Sequence, residues 1–332
     1  MLVGRLAPSP TGLLHVGNAR SLLLAWLAAR HVGGAIHLRI EDLLPDGDLH
    51  LPELLADLRW LGLDWDPWHG HDFIRQSARS PLYDALLADL LARGDVYPCV
   101  CTRKDIDLAA RAPHVEDKGA AYPGTCRDRF ATEQDALAFE LVRAQQEHRP
   151  PLGVALRLRV PDAPVTFVDL LHGPQRVVLP QDSGDIVVRR KDGGVAYMFA
   201  VVVDDWAMAV NQVVRGDDLL EVTGQQLAVH QALQRLDSPH LPPFAGLPQY
   251  AHVPLVLGDD GRRLAKRNQS LHLGALRRDG VSADRLRQWL ATSVGLAPTA
   301  DLAELARTFD WARLPRAPVR FGAAERAALE MR

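Results

Sequence analysis

Leu2 to Ala7 form a short, mainly apolar run closed by Pro8 and Pro10, the pattern of a buried strand stopped by residues that cannot extend it. Beyond Asn18 the period changes. Ser21-Leu22-Leu23-Leu24 and Trp26-Leu27 lead to Arg30, with Gly33-Gly34 following, which predicts a helix capped by Asn18 and ended by glycine. Ile36-His37-Leu38-Arg39-Ile40-Glu41 then alternates apolar and polar, as a strand does. Strand, glycine-bearing turn, helix and strand in this order make a βαβ unit, whose crossover is right-handed in nearly all cases. Ligands of such sheets bind beyond the carboxyl ends of the strands, where the Pro8–Asn18 turn and Glu41 should lie.

The same reading predicts helices at Pro52–Leu63 and Pro81–Arg93, the second with Ser80 as N-cap and Gly94 as terminator. Residues 95–130 read as irregular. Thr132 to His148 predicts one amphipathic helix with Thr132 and Asp135 as a capping pair. Alternation at Leu156–Val160 and around Thr166–Asp169 predicts strands of an inserted module. Ile186 to Val203 reads as two strands about an Asp192-Gly193-Gly194 turn. A strand at Gln212–Arg215 and a helix at Glu221–Arg235 resume the first pattern, and Val253–Leu257 precedes a loop at Gly258–Ser270. Short helices broken by Pro298, Pro315 and Pro318 fill the remainder, with no internal repeat.

Composition narrows the class. In 332 residues, Lys and Arg number 38 and Asp and Glu 41, a net charge of −3, which excludes a strongly basic nucleic-acid binder but not RNA binding through a local patch. Val195 to Val203, the longest uncharged apolar stretch, is nine residues, about half a membrane span. The first residues lack the apolar core of a signal peptide. Three cysteines, all between residues 99 and 126, fit a reduced cytoplasmic chain with a local metal site better than a secreted, disulfide-stapled one.

The chemistry concentrates in two segments. Arg5-Leu6-Ala7-Pro8-Ser9-Pro10-Thr11-Gly12-Leu13-Leu14-His15-Val16-Gly17-Asn18 joins a tight turn to a helix start. Gly17 allows close backbone approach to a ligand, helix N-terminal N–H groups suit phosphate, and His15 offers a donor without a full charge. Arg262-Arg263-Leu264-Ala265-Lys266-Arg267 follows a Gly258-Asp259-Asp260-Gly261 turn. Alone, the first is an ordinary Pro/Gly loop and the second a solvated basic loop.

Together they resemble the two signatures of class I aminoacyl-tRNA synthetases, with His15-Val16-Gly17-Asn18 as the "HIGH" element and Arg263 to Arg267 as the "KMSKS" loop. Arg5 to Gly12, Leu38-Arg39-Ile40-Glu41-Asp42, Tyr197 with Val201 to Asp205, and Val214-Arg215-Gly216-Asp217-Asp218 resemble glutamyl-tRNA synthetases more narrowly. The resemblance implies an α/β fold: a Rossmann-type parallel-sheet catalytic domain, an inserted zinc-bearing module like the acceptor-binding one, and a short C-terminal helical stem-contact segment. It implies ATP and L-glutamate as substrates, Mg²⁺ accompanying ATP, and glutamyl-AMP as product. His15 and Lys266 would be catalytic, and His15, Gly17, Asn18 and Lys266 would bind ATP. Arg5, Leu6, Ala7, Pro8, Ser9, Glu41, Tyr197 and Arg215 would hold glutamate, with Glu41 facing its ammonium group. Arg263 and Ala265 stand where the family has lysine and serine, so that loop keeps its charge but loses a hydroxyl.

Cys99-Val-Cys101 and Cys126 offer three thiolates, and zinc prefers four ligands. By resemblance the set is Cys99, Cys101, Tyr122 and Cys126, holding one structural Zn²⁺; His114 is the chemically easier alternative to tyrosine. The expected divisions are 1–94 and 186–257 for the two halves of the catalytic domain, 95–185 for the inserted module and 258–332 for the loop and helical segment. Only 66 residues follow Lys266, short of an anticodon-binding domain. The chain therefore resembles the truncated paralogues of the family, the glutamyl-queuosine tRNA(Asp) synthetases. That implies glutamate activation without tRNA and transfer to queuosine in the anticodon stem-loop of tRNA(Asp), with no membrane partner. The alternatives are a minimal synthetase charging a tRNA 3′ end and a catalytically silent tRNA-binding relative.

Overall fold

The computed structural model describes residues 1–44, 48–109, 121–236, 238–264 and 271–330. It opens with the expected βαβ unit: β1 (Val3–Leu6), α1 (Val16–His31) and β2 (Ala35–Ile40), with Val3 opposite Ala35 and Leu6 opposite Leu38 in a parallel pair. The whole Leu22–Ala29 stretch of α1 is buried, so this helix lies between layers rather than on the surface. The N-cap is His15, not Asn18. The His15 ring accepts the Asn18 N–H and the Asn18 side chain accepts the His15 N–H, so Asn18 closes the box from the third helical position.

α2 (Leu51–Trp60) precedes β3 (Ile74–Arg75), which adds a third parallel strand beside β2. A 3₁₀ turn at Gln76–Arg79 runs directly into α3 (Ser80–Ala92), so Ser80 lies inside that helix and donates to Ser77 O (3.2 Å) instead of capping it. The segment that reads as irregular contains β4 (Val96–Cys99) and α4 (Arg103–Ala109). α5 (Glu133–Gln146) starts as its sequence predicts, with Thr132 and Asp135 exchanging bonds of 3.1 and 3.0 Å. Then come β5 (Ala155–Leu158), β6 (Val165–Asp169), β7 (Gly173–Val177), α6 (Leu179–Asp182) and β8 (Ile186–Arg189). β4, β5 and β8 form an antiparallel sheet.

The expected second strand of the Ile186–Val203 hairpin is a helix. The turn forms, with Arg190 N donating to Gly194 O (2.8 Å), and Ala196 N returns to Val188 O (2.9 Å). Then α7 (Tyr197–Ala207) begins. Phe199 to Asp205 are all buried, and a run apolar on every side carries no period to separate strand from interior helix. β9 (Gln212–Gly216), α8 (Thr223–Gln234) and β10 (Gln249–Val253) complete the central sheet, with β9, β10 and β6 mutually parallel and β7 at the antiparallel edge. Asn211 N donates to Val3 O (3.0 Å) and Arg5 Nη1 to Val214 O (3.1 Å), which set β9 beside β1. The strands thus run in the order β3-β2-β1-β9-β10-β6-β7, with the connection reversing direction between β1 and β9. β11 (Val256–Leu257) pairs with β12 (Val319–Arg320); between them lie α9 (Leu273–Arg278), α10 (Ala283–Ser293) and α11 (Leu302–Thr308), and α12 (Ala323–Glu330) follows. These helices share one apolar core with α1, β1 and β2.

Candidate active site

The reversal between β1 and β9 is where a doubly wound sheet opens a crevice, and a cavity of about 660 Å³ lies there. Arg5 comes from β1, Ala7, Pro8 and Ser9 from the turn after it, and His15, Gly17 and Asn18 from the start of α1. Glu41 follows β2, Tyr197 opens α7, and Arg215 is the last residue but one of β9; all of these line the cavity. Leu6 does not: it is fully buried in the core behind. Glu41 N donates to Pro8 O (3.1 Å) and Ser9 Oγ to Glu41 O (3.1 Å), so the turn is stitched to the end of β2.

His15 explains Gly17. A Cβ on Gly17 would stand 2.9 Å from His15 Cε1 and 3.0 Å from Nδ1, so the ring lies over a position that no side chain can share. Because His15 Nδ1 accepts the Asn18 N–H (3.3 Å), the proton of the neutral ring belongs on Nε2. Across the cavity stand Arg262, Arg263 and Leu264, with Arg263 paired to Asp218. Ala265, Lys266 and Arg267 lie outside the described residues, as does His114.

Beneath the cavity floor is an ion cluster. Arg39, fully buried, donates to Asp205 (2.5 Å) and Glu41 (3.1 Å) and lies 3.9 Å from Asp204. Burial opposes its charge, but Asp205, Glu41 and Asp204 more than compensate and raise its pKa. Burial likewise works against the Asp205 carboxylate, yet Arg39 and Arg5 hold its pKa below the ordinary value. Glu41 goes the other way: burial raises its carboxyl above the usual range despite Arg39 and Arg5. Tyr197 is pushed up to about 12 by burial and by the Glu41 charge, so it stays a neutral phenol. Asp204 is bound by Arg79 (2.5 Å), Gln76 (2.8 Å) and Tyr83 (2.8 Å). The anions at this floor are therefore already matched by cations, while Arg215 is buried and, among the described residues, hydrogen-bonds to neutral groups only, His252 at 3.0 Å and Thr223 at 2.8 Å. Sequence reasoning noted Arg39, Asp204 and Asp205 only as parts of motifs and missed His252, Thr223 and Asp169. A charged residue between Leu38 and Ile40 in a buried strand was the available signal for Arg39.

A second cluster gathers Cys99, Cys101 and Cys126, whose sulfurs all lie within 4.8 Å of one another, with Cys101 and Cys126 at 3.5 Å. Tyr122 Oη stands 3.5 Å from Cys99 Sγ and 3.9 Å from Cys101 Sγ. Tetrahedral zinc with bonds of about 2.3 Å needs sulfurs about 3.8 Å apart, so these donors fit it. The other two thiols, with Arg157 (Nε 3.3 Å from the sulfur), lower the pKa of Cys99 although burial opposes them. The Arg157 guanidinium also lies 3.8 Å over the Tyr122 ring.

The chain is similar to known proteins over most of its length. Residues 1–313 match the family described as tRNA synthetases class I (E and Q), catalytic domain. The chain is 47% identical to a glutamyl-Q tRNA(Asp) synthetase of Nitratidesulfovibrio vulgaris, over 90% of this chain and 88% of that one. It is 40% identical to glutamate–tRNA ligase 1 of Halorhodospira halophila, over 96% of this chain but 64% of that one. The crystal structure of a glutamate tRNA ligase from Elizabethkingia meningosepticum, in complex with its amino acid, superposes with a TM-score of 0.73 at 23% identity, covering 99% of this chain and 68% of that one. Among the described residues, no helix is long and apolar enough to cross a membrane.

Proposed function

Because this chain belongs to the class I tRNA synthetases of the E and Q type, and is therefore a ligase, we propose that it activates L-glutamate with ATP in the absence of tRNA. It then transfers the glutamyl group to queuosine at the anticodon wobble position of tRNA(Asp), in the cytoplasm. The observation that carries the activation step is the single cavity that joins His15 and the Arg262–Leu264 segment to Arg5, Arg215, Tyr197 and Glu41.

A substrate α-carboxylate oxygen attacks the α-phosphorus of ATP, the bond to the bridging oxygen breaks, and pyrophosphate leaves. Such chemistry depends on positioning and on stabilising charge as it develops. The His15 Nε2–H and the N–H groups of the first turn of α1 that the cap leaves open meet phosphate oxygens, and Lys266 would add a positive charge. Mg²⁺ bound with ATP would further screen the phosphate charges. Arg5 and Arg215 take substrate carboxylates, Glu41 faces the ammonium, and Tyr197 and Ser9 complete the pocket. Two arginines favour glutamate over the isosteric, uncharged glutamine. In the second step a hydroxyl of the queuosine cyclopentenediol attacks the mixed-anhydride carbonyl, AMP leaves and an ester forms. Cys99, Cys101, Tyr122 and Cys126 would hold one structural zinc, which would tie the end of β4 to the turn at Cys126.

A second reading, a shortened glutamyl-tRNA synthetase acting on a 3′ end, draws support from the glutamate–tRNA ligase relative. The higher identity and fuller two-way coverage of the glutamyl-Q relative favour the first. One experiment separates them. Labelled glutamate should appear on tRNA(Asp) bearing queuosine and not on unmodified tRNA(Asp), and nuclease digestion should place it in the anticodon loop. Label on the 3′ adenosine of tRNA(Glu) would decide for the second reading.

A further inference from the structure

Arg215 is held from behind by two buried neutral groups, one of which is backed by a buried carboxylate. Its Nε donates to His252 Nε2 (3.0 Å) and its Nη2 to Thr223 Oγ1 (2.8 Å), whose single proton lies between two acceptors, Leu219 O and His252 Nε2, each 3.1 Å away. On its far side the His252 ring meets Asp169: Nδ1 stands 2.7 Å from Oδ2. That carboxylate also accepts the backbone N–H groups of His252 (3.0 Å), Leu171 (2.9 Å) and His172 (3.0 Å). Asp169, Thr223 and His252 are at most 1% exposed. Arg215 Nη1 lies buried with no hydrogen-bond partner among the described residues, in a side chain that lines the cavity.

Donor and acceptor counting fixes the ring's state. An arginine nitrogen only donates, so His252 Nε2 must be the bare acceptor and its proton sits on Nδ1, donated to Asp169. A doubly protonated ring would set N–H against N–H. Burial and the Arg215 charge both act against that second proton, and Asp169 alone favours it.

We propose that His252, fixed as the neutral Nδ1–H tautomer by Asp169, is a positioning residue for substrate recognition. It clamps the Arg215 guanidinium through Nε in one fixed plane beside the cavity, so that the cation meets a substrate carboxylate already oriented, and thereby sets the preference for glutamate over glutamine. Two anchored nitrogens fix the plane of a guanidinium, and a pre-oriented donor loses less freedom when the carboxylate arrives. Because the partner at Nε is an uncharged imidazole, the guanidinium keeps its charge for the ligand. This inference rests on the proposed glutamate activation.

Two substitutions divide the ring's functions in the full chain. In His252→Asn the amide reaches the place of Nδ1 and keeps Asp169 but abandons Arg215. In His252→Gln it reaches the place of Nε2 and keeps an acceptor for Arg215. In pyrophosphate exchange, His252→Asn should raise the KM for glutamate roughly ten- to hundredfold, the range for a lost bond to a charged group. The KM for ATP should hold, glutamate-over-glutamine preference should drop, and His252→Gln should recover most of both. A merely structural role would lower the folded fraction and all kinetic parameters together. ¹⁵N NMR of the unaltered protein supplies an arm that needs neither variant nor activity: near neutral pH the His252 ring should carry its proton on Nδ1 alone. Wild-type-like glutamate kinetics in His252→Asn, or a ring protonated on Nε2, would overturn the proposal. Absent exchange in the unaltered protein would instead count against glutamate activation, and the NMR arm would still decide the tautomer.

Discussion

Gly17→Ala isolates the position of one ring from the stability of the fold. The added methyl would stand 2.9 Å from His15 Cε1, 3.0 Å from Nδ1 and 3.5 Å from Val256 Cβ. Only the last is an ordinary carbon contact; the first two demand movement. The ring sits at the end of a rotatable side chain, so it moves and the backbone of α1 does not. Leaving its place, it gives up the Nδ1 bond to Asn18 N–H, and N-cap deletions typically cost about 1 kcal/mol. Alanine in place of glycine within a helix returns up to about 1 kcal/mol. The net change is therefore small, and the melting temperature should stay within roughly 4 °C of the parent. Activity should respond quite differently. If His15 Nε2–H stabilises charge developing on the phosphates, removing it from position costs what losing one oriented donor costs, about 100- to 1,000-fold in kcat. The assay is ATP–pyrophosphate exchange with glutamate, run beside a thermal melt and beside His15→Ala, which should show a similar loss. Parent-like exchange in Gly17→Ala would refute the role of the ring. A loss of stability above about 3 kcal/mol would show that the strain had fallen on the backbone instead.

Three further outcomes follow from the same physics. Asp205→Asn leaves Arg39 fully buried with less counter-charge, and should cost about 3–5 kcal/mol in urea unfolding at unchanged slope. About one zinc per chain should copurify, measured by elemental analysis; Cys101→Ser should lose it, and Tyr122→Phe should weaken it if the phenol is a ligand. Asp185, buried among Arg127 (2.6 and 2.8 Å), Tyr97 (2.5 Å) and Val160 N (2.9 Å), keeps a lowered pKa because these partners outweigh burial. A carboxyl lowered by folding contributes stability that is complete above its unfolded pKa, about 3.9, and lost as pH falls below it. Asp185→Asn should therefore be less stable near neutrality but lose less on acidification, by urea midpoints across that range.

The first βαβ unit was legible because short-range rules decided it. Alternation from Ile36 to Glu41 marks the strand, and Gly33, at φ 65°, ends the helix in a conformation other residues avoid. The Thr132–Asp135 box was legible for the same reason, since both partners lie within one turn. Where a rule of frequency stood in for a rule of contact, the reading slipped. Histidine is an uncommon N-cap, so Asn18 took the place that the His15 ring occupies. Apolar Val195 to Val203 fits strand and interior helix equally, and packing decided for α7. The cavity's lining could be collected from motifs, but not its supports. Arg39 and Asp205 are 166 residues apart, Asp169 and His252 83, Arg215 and His252 37. No local pattern announces such pairs.

Those supports decide what the cavity can accept. Arg39 holds Asp205 and Arg79 holds Asp204, so these two carboxylates of the floor are matched by cations beneath it, while Glu41, bonded to Arg39 through one oxygen, still lines the cavity. Arg5 shares Asp205 only at 3.5 Å, with its firmer contact to the uncharged Val214 carbonyl. Among the described residues Arg215 is bonded to no carboxylate: an imidazole stands between it and Asp169. Had that aspartate paired directly with the guanidinium, the pair would have been nearly neutral and a ligand carboxylate would have had to compete for it. One ring removed, Asp169 orients without neutralising, since attraction falls with distance while the hydrogen-bond chain keeps its direction. On the proposed reading, selection for an acidic amino acid is thus built in two layers: charges cancelled where they would distract, and a charge kept whole where the substrate must meet it.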